Sequence, residues 1–158
     1  MISIVWETPH FLVEVPPKPH VTRMDGGHLQ IMPKERVSDR TQLSGPLAIE
    51  LARLTIIAGA AMNSALNQQG IDVGRINYQD NGNWSVHKPQ GPMLHIHLYG
   101  RAKSAAIQKW GDALHFPHME SGFYDANEPL NEDDIALIKK EMQTLFTQEE
   151  FQDHHWKL

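Results

Sequence analysis

Apolar and histidine side chains alternate between residues 91 and 101. Leu94 and Ile96 would point to one face of a strand with this spacing and His95 and His97 to the other, because successive side chains of a strand alternate sides. Neighbouring side chains on one strand face lie about 7 Å apart, which lets two imidazoles engage one anionic group or one metal ion. The pattern therefore predicts a strand with one buried face and one face that carries chemistry.

Three other segments have the composition and alternation of strands. Residues 11–15 and 28–32 are both ended by proline, which cannot donate to a strand ladder. In the second of these segments, His28 lies on the more polar face. Residues 73–79 precede a loop of Asp, Asn and Gly, which favours a turn. These segments predict an antiparallel sheet that also contains the histidine-rich strand.

Two helices are predicted by spacings of three and four between apolar residues. The first covers residues 44–69, where Ser44 suits an N-cap and Gly70 suits the left-handed residue that ends a helix. We expect its apolar stripe to pack in the core. The second covers about residues 131–146 and has acidic residues in its first turn, which favour the helix dipole. The order of strands and helices indicates an α+β domain in which the long helix crosses between strands.

Composition narrows the classes of function. The chain of 158 residues suits one domain over residues 1–158, and the absence of cysteine excludes thiolate nucleophiles and thiolate metal ligands. A net charge of −5 argues against a nucleic-acid or anionic-membrane partner. The apolar run at 54–62 is too short to cross a bilayer, and the first residues lack the pattern of a signal peptide. We therefore expect a cytoplasmic protein.

The histidine-rich strand carries a recognisable motif. Residues 94–99, preceded by a strand that contains His28 and ends at residues 33–34, resemble the histidine-triad (HIT) family of nucleotide hydrolases and transferases. The family's motif is His-φ-His-φ-His-φ-φ, where φ is apolar, and the resemblance covers about residues 6–101. It implies a HIT-like fold with an antiparallel sheet of about five strands, one long crossing helix and a C-terminal helix in the extension that follows the core.

The resemblance assigns roles to the histidines of this chain. It places the motif's three histidines on Met93, His95 and His97, and the family's separate upstream histidine on His28. It implies that His95 attacks an α-phosphate and forms a nucleotidyl-histidine, provided that its second ring nitrogen donates to a fixed acceptor, which in the family is a backbone carbonyl. His97 and His28 would stabilise phosphoryl charge or protonate the leaving group.

Met93 replaces the first histidine of the motif. This replacement implies a slower enzyme, an altered substrate range or a nucleotide-binding protein without turnover. Because the nucleophile, its histidine neighbour and the phosphate-side residues are all present, we favour retained activity.

Several side chains match the family's phosphate-side positions. The family's amide falls on Asn83 by distance from the motif, but on Asn77 or Gln79 by position along the strand, and these alternatives stay open. Gln90 lies where the family has a hydroxyl or amide donor. Further candidate anion contacts are Lys88 and Arg101.

The resemblance also implies a class of substrate. The expected substrate is a purine nucleotide with a substituted α-phosphate, such as a dinucleoside polyphosphate or a nucleoside phosphoramidate. No cofactor is required in this scheme, although a divalent cation can accompany a polyphosphate. The resemblance further implies a homodimer.

Two other functions stay open. His95 and His97 could bind a divalent metal together with a third histidine, but such sites usually recruit a carboxylate soon after the histidine pair, and none lies between His97 and Asp112. A non-catalytic nucleotide sensor is the second alternative. The remaining histidines in loops are expected at the surface; they are His10, His20, His87, His115 and His118.

Overall fold

The computed structural model describes residues 3–158, apart from the side chain of Asn83. Five antiparallel strands form one sheet in the order β1-β2-β3-β5-β4. The strands are β1 (Ser3–Glu7), β2 (Phe11–Val15), β3 (His28–Pro33), β4 (Val73–Gln79) and β5 (Ile96–Ala102). The helices are α1 (Gly45–Gln68), α2 (Glu132–Phe146) and the short α3 (Asp153–Trp156). This is the α+β architecture that the hydrophobic pattern predicts.

One face of the sheet packs against α1 and α2 to form the core. Leu29 and Ile31 of β3 and Leu98 of β5 are fully buried there, as the alternation along both strands predicts. Full burial of an aliphatic side chain of this size contributes about 1.5–3 kcal/mol relative to exposure. The core therefore forms on this face, and the polar residues of the same strands line the opposite face.

Helix α1 confirms the long helix predicted from the spacing of apolar residues. The Ser44 hydroxyl accepts the backbone N–H of Leu47 at its start, and Gly70, with φ +81°, follows its end. Gly59 lets the helix approach β4 closely, since a Cβ at this position would lie 2.0 Å from the Tyr78 hydroxyl. By length and by mean hydropathy, 1.4 over 18 residues, α1 could cross a membrane. In this fold it lies across the sheet as the central core helix.

The loop that precedes β3 is held tightly against β5. A Cβ on Gly100 would lie 1.9 Å from the carbonyl oxygen of Gly26, so the two backbones can approach only because both residues are glycine. The buried carboxylate of Asp25 accepts the backbone N–H groups of residues 106–108 at 2.7–2.9 Å. These contacts fix residues 20–27 over the polar face of the sheet.

Two parts of the sheet differ from the sequence prediction. Strand β1 was not predicted, and its alternation is interrupted by a register shift between Ile4 and Trp6. Strand β5 begins at Ile96, so residues 91–95 lie outside it, and the backbone N–H of Leu94 donates to the carbonyl of Val37. His95 therefore lies in the segment immediately before β5.

Helix α2 confirms the second predicted helix and is joined to the loop before β3 by a buried ion pair. The fully buried carboxylate of Asp134 accepts Arg23 Nε at 2.6 Å and Arg23 Nη2 at 2.9 Å. The same carboxylate accepts the backbone N–H of Asn131, whose side chain in turn caps the helix. Asp134 thus links the capping of α2 to the position of the loop that precedes β3.

Removal of the Asp134 carboxylate should destabilise the fold. We expect Asp134→Ala to lower the free energy of unfolding by about 2–4 kcal/mol, because it leaves Arg23 without its partner and removes half of a capping box. Urea denaturation measures this change. Asp133→Ala alters the exposed neighbour in the same helical turn and should cost less than about 0.5 kcal/mol. Equal losses in the two variants would contradict the proposed role of the ion pair.

Candidate active site

Polar side chains form two rows across the free face of the sheet. Strand register places Gln30, His97 and Gln79 side by side on β3, β5 and β4. The adjacent row contains His28, Tyr99 and Asn77 on the same three strands. Directly opposed residues of antiparallel strands project to the same face. The fold thus brings His28 and His97 together, as the sequence predicts.

His95 is held by a backbone carbonyl of its own lead-in segment. Its Nδ1 lies 2.7 Å from the carbonyl oxygen of Met93. A carbonyl only accepts hydrogen bonds, so Nδ1 carries the proton and Nε2 keeps its lone pair in the neutral ring. His95 also lines the cavity described below. Its ring is therefore in the tautomer required of a nucleophile.

His28 and His97 form a directed chain of hydrogen bonds. The backbone N–H of His20 donates to His28 Nδ1 at 3.1 Å, so neutral His28 carries its proton on Nε2. This proton is shared with His97 Nδ1 at 2.8 Å, which leaves the His97 proton on Nε2. The rings of His97 and His95 are in edge contact, with centroids 4.5 Å apart. His97 is therefore a neutral hydrogen-bond donor beside the candidate nucleophile.

His20 is a site residue that the sequence analysis assigned wrongly to the surface. Its Nδ1 lies 2.7 Å from the Tyr99 hydroxyl, and its ring packs against those of His28 and His97 at 4.9 Å and 5.1 Å. It lies in a proline-flanked loop with no periodicity, so only the close backbone approach at Gly26 brings it over the sheet. No local sequence pattern distinguishes it from the surface histidines.

Burial keeps this histidine cluster neutral. Desolvation, followed by the proximity of His95, lowers the pKa of His20 to about 4. Desolvation and the neighbouring histidines His95 and His20 lower the pKa of His97 to about 3. Full burial, followed by His97, also lowers the pKa of His28 well below its usual value. Burial raises the pKa of Tyr99, which stays a neutral phenol. The cluster is therefore a network of uncharged hydrogen-bonding groups at neutral pH.

A cavity of about 510 Å³ opens beside these histidines. Its volume lies within the range of small-molecule sites. Its polar lining includes His95, His97 and Gln79, and its apolar lining includes Trp84 and Phe116. The other lining residues are His20, Gln30, Asn81, Gly82, Ser85, Lys88, Tyr99 and Met119. The cavity can therefore hold a ligand that carries both polar and apolar groups.

The predicted substrate-binding residues are only partly brought together. Gln79 and Lys88 line the cavity, while Asn77 lies on the same sheet face, one row from Gln79. The side chain of Asn83 lies outside the described residues. Met93 contributes its carbonyl oxygen to the orientation of His95.

Two predicted substrate contacts, the anion contact Arg101 and the amide donor Gln90, are placed elsewhere by the structure. The buried guanidinium of Arg101 donates to the carbonyls of Lys109 and Asp112, both at 2.8 Å, and so holds the loop after β5. The side chain of Gln90 is exposed outside the cavity lining, and its backbone carbonyl accepts a hydrogen bond from Arg36. Both residues therefore serve the loops around the cavity, which strand position alone could not reveal.

The structure groups His20, His28 and His97, and not the predicted pair His95 and His97, closely enough for a metal ion, but the hydrogen bonds of these rings conflict with one. One ring nitrogen from each of His20, His28 and His97 lies within 4.8 Å of the others, a grouping that could hold a metal ion. However, tetrahedral zinc with Zn–N bonds near 2.0–2.1 Å would separate its nitrogens by roughly 3.4 Å. An ion bound to His28 Nε2 would break the 2.8 Å hydrogen bond between His28 and His97. It would also move the His28 proton to Nδ1, which already accepts the backbone N–H of His20. The hydrogen-bond geometry thus favours the metal-free network.

The neutral histidines should make stability depend on pH. Since their pKa values are lower in the folded protein, the unfolded chain binds more protons between about pH 6.5 and pH 3–4, and stability is lost as the pH falls. Each such histidine adds a slope of up to about 1.4 kcal/mol per pH unit. Urea denaturation from pH 7.5 to about 4.5 measures the slope. His20→Gln should reduce the slope of stability against pH, and His87→Gln, at an exposed position, should leave the slope unchanged. Equal slopes in the two variants would contradict a lowered pKa for His20 in the folded protein.

Comparison with known proteins identifies the fold. No protein-family model and no curated protein matches the sequence. Among solved structures, a histidine triad protein from Marinobacter aquaeolei superposes with a TM-score of 0.60 at 14% identity, covering 91% of this chain and 88% of that chain. A zinc-bound histidine triad family protein from Mycobacterium smegmatis has a TM-score of 0.59 at 18% identity, covering 90% and 84%.

A hypothetical histidine triad nucleotide-binding protein from Sulfolobus tokodaii is also similar. It has a TM-score of 0.58 at 13% identity and covers 92% of this chain and 87% of that chain. These similarities extend over nearly the whole of each chain, so they include the sheet, the crossing helix and the C-terminal helix. The chain therefore has the histidine-triad-like (HIT-like) fold.

Proposed function

We propose that this protein is a nucleotide hydrolase or nucleotidyl transferase that acts through a covalent intermediate on His95. The observation that carries the proposal is the hydrogen bond from His95 Nδ1 to the Met93 carbonyl. It fixes the tautomer that leaves Nε2 nucleophilic, in a cavity that also contains a hydrogen-bond donor, His97. The HIT-like fold and the similarity to the S. tokodaii protein, which is named as nucleotide-binding, support a nucleotide substrate.

The proposed reaction has two displacements at phosphorus. In the first, His95 Nε2 forms a bond to the α-phosphorus and the bond to the leaving group breaks; a leaving phosphate departs as its anion, and a leaving amine takes a proton from solvent. In the second, water or another acceptor attacks the phosphorus and releases its proton to solvent, and the bond to Nε2 breaks. The nucleotide leaves, and His95 returns to its neutral form with its Nδ1–H still donating to the Met93 carbonyl.

The surrounding groups stabilise charge on the phosphoryl oxygens. His97 Nε2–H is a donor because His28 occupies its Nδ1, and this orientation exists before substrate binds. Gln79 and Lys88, which line the cavity, add an amide and a cation. A polyphosphate or phosphoramidate with a substituted α-phosphate therefore suits the site. The same geometry serves hydrolysis and transfer, since only the second nucleophile differs.

Methionine at position 93 is compatible with the proposed activity. The orientation of His95 depends on the backbone carbonyl of residue 93 and not on its side chain. A histidine at this position would contribute the same carbonyl. We therefore propose that the replacement leaves formation of the covalent intermediate intact.

Covalent labelling tests the proposal. Rapid-quench mass spectrometry with diadenosine tetraphosphate and an adenosine phosphoramidate should detect an adenylate-sized adduct on His95, and His95→Ala should abolish it because it removes the proposed nucleophile. Met93→Ala is the matched control: it keeps the carbonyl, so adduct formation should stay within about tenfold of the native rate, the scale of about 1.4 kcal/mol.

The absence of an adduct would end the covalent proposal, as would unchanged turnover in His95→Ala. If the intact protein binds the dinucleotide without consuming it, the alternative of a non-catalytic nucleotide-binding protein would be correct.

We also propose that two copies of the chain associate through α1 and β4. Within the most apolar 18 residues of α1 only 44% are buried, so much of an apolar helix faces outward. Ile56 on α1 is 46% exposed and Tyr78 on the edge strand β4 is 49% exposed. The Tyr78 hydroxyl lies against Gly59 of α1, which makes the two surfaces continuous. A second copy would cover this apolar patch.

Light scattering after size-exclusion chromatography measures the association. The native protein should have twice the 18.0 kDa mass of one chain, and Ile56→Glu should shift it toward the monomer because a charge would be buried in the interface. Ile107→Glu is the control, since Ile107 is similarly exposed, at 48%, on the loop after β5. A native mass of one chain would contradict the dimer.

A further inference from the structure

Two histidines and one carboxylate converge near the end of the chain, in a segment that the proposed reaction does not use. Glu149 begins the short turn Glu149–Phe151, and His154 and His155 lie in α3. One ring nitrogen of each histidine and one carboxylate oxygen of Glu149 lie within 4.8 Å of one another. Imidazole nitrogens and carboxylate oxygens are ligands of zinc and of other divalent transition metals. The three side chains are therefore a candidate metal site.

The C-terminal turn, residues 148–156, folds back on itself and so brings these side chains together. Backbone N–H groups at residues 151, 152 and 155 donate to carbonyls three residues earlier, at 3.0–3.1 Å. The Trp156 indole N–H donates to the carbonyl of Glu150 at 2.9 Å. The three candidate ligands are therefore close together before an ion binds.

The C-terminal turn is anchored to two core helices. The buried guanidinium of Arg53, on α1, donates to the carbonyl of Phe151 at 3.0 Å and to Asp153 Oδ1 at 2.6 Å. The Gln152 side chain donates to the carbonyl of Phe146, at the end of α2, at 2.8 Å. Because the backbone around the candidate site is held in this way, little conformational entropy is lost when an ion binds.

The distances between the ligand atoms suit a small divalent ion. Glu149 Oε1 lies 3.0 Å from His154 Nε2 and 3.1 Å from His155 Nε2. Bonds of about 2.0–2.2 Å from zinc to nitrogen and oxygen place neighbouring tetrahedral ligands roughly 3.4 Å apart. All three side chains are exposed, so rotation about their own bonds supplies the small difference. An ion can thus bind between them without disturbing the core.

The ring protons of these histidines can move without the loss of a hydrogen bond to the protein. A carboxylate only accepts hydrogen bonds, so each neutral ring carries its proton on the Nε2 that faces Glu149. An ion bound to Nε2 moves this proton to Nδ1. No hydrogen bond from elsewhere in residues 3–158 reaches Nδ1 of His154 or His155, and both rings are open to water. In His28, by contrast, Nδ1 already accepts the backbone N–H of His20.

Charge also favours the C-terminal turn over the buried histidines as a metal site. The cluster of His20, His28 and His97 contains no carboxylate, so an ion there would be taken out of water without a counter-charge. Glu149 offsets one of the two positive charges of a divalent ion, and the remaining coordination positions face solvent. The cost of desolvating the ion is therefore smaller at the C-terminal turn.

We propose that Glu149, His154 and His155 bind one divalent transition-metal ion, of which zinc is the type, and that the ion rigidifies the C-terminal turn against α1. Water completes the coordination. The site is separate from the histidine cluster of the sheet, and the proposal does not rest on the proposed function.

Isothermal titration calorimetry with Zn²⁺ tests the three ligands. The native protein should bind one equivalent of Zn²⁺, and Glu149→Gln, His154→Gln and His155→Gln should each weaken binding by at least about tenfold. Loss of a group that only orients a ligand already costs about 10–100-fold in metal affinity, so loss of a ligand should cost at least as much. Since the three side chains are exposed, these variants should fold as the native protein does.

His118→Gln is the matched control. His118 is also exposed and its Nδ1 lies 3.9 Å from Glu120 Oε2, but this pair belongs to neither group of three candidate ligands. Its replacement should leave the affinity for Zn²⁺ unchanged. Unchanged affinity in any of the three ligand variants would overturn the proposed site, as would a native protein that does not bind Zn²⁺.

Hydrogen exchange shows where the ion lies. Saturating Zn²⁺ should slow amide exchange in residues 149–156 of the native protein and should have no such effect in His155→Gln. Protection confined to the segments that contain His20, His28 and His97 would place the ion in the buried cluster and would overturn the proposal. Because neither measurement needs turnover, both are independent of the adduct experiment.

Discussion

The hydrogen bond between His28 and His97 is the interaction on which the site depends. Its direction follows from the backbone N–H of His20, which occupies the second nitrogen of His28. In a dry interior each imidazole lone pair must be matched with a donor, so one backbone contact determines the tautomers of two rings. That chain leaves His97 as a neutral donor beside His95 and disfavours a metal ion between the same rings.

The rest of the fold holds this chain of hydrogen bonds in place. The apolar face of the sheet packs on α1 and α2, which keeps β3 and β5 adjacent with His28 and His97 on the opposite face. The close approach of Gly26 to Gly100 brings the His20 loop over that face. Packing on one side of the sheet and glycine contacts on the other are therefore both needed to assemble the cluster.

The segments outside the sheet supply the apolar lining of the cavity. Arg101, on β5, is buried and holds the loop at 109–112, while Gln108 and Tyr124 anchor the residues on either side of Phe116. Strand β5 and the residues just before it thus carry the candidate catalytic histidines His95 and His97, and the loops supply the apolar side chains that line the cavity beside them. This division agrees with the general pattern in which a rigid scaffold positions catalytic groups and loops determine what binds.

The family resemblance implied that His28 and His97 share a site, whereas the hydrophobic pattern by itself determined the α+β architecture and the two long helices. These features depend on periodic burial, which a local pattern records directly. His20, Trp84 and Phe116 could not be predicted, because they lie in irregular segments whose positions depend on contacts with residues far away in the chain. Arg101 was predicted as an anion contact because strand position does not show which backbone carbonyls a guanidinium will meet. The tertiary structure alone decided which polar groups are already paired, and therefore which ones are free to act.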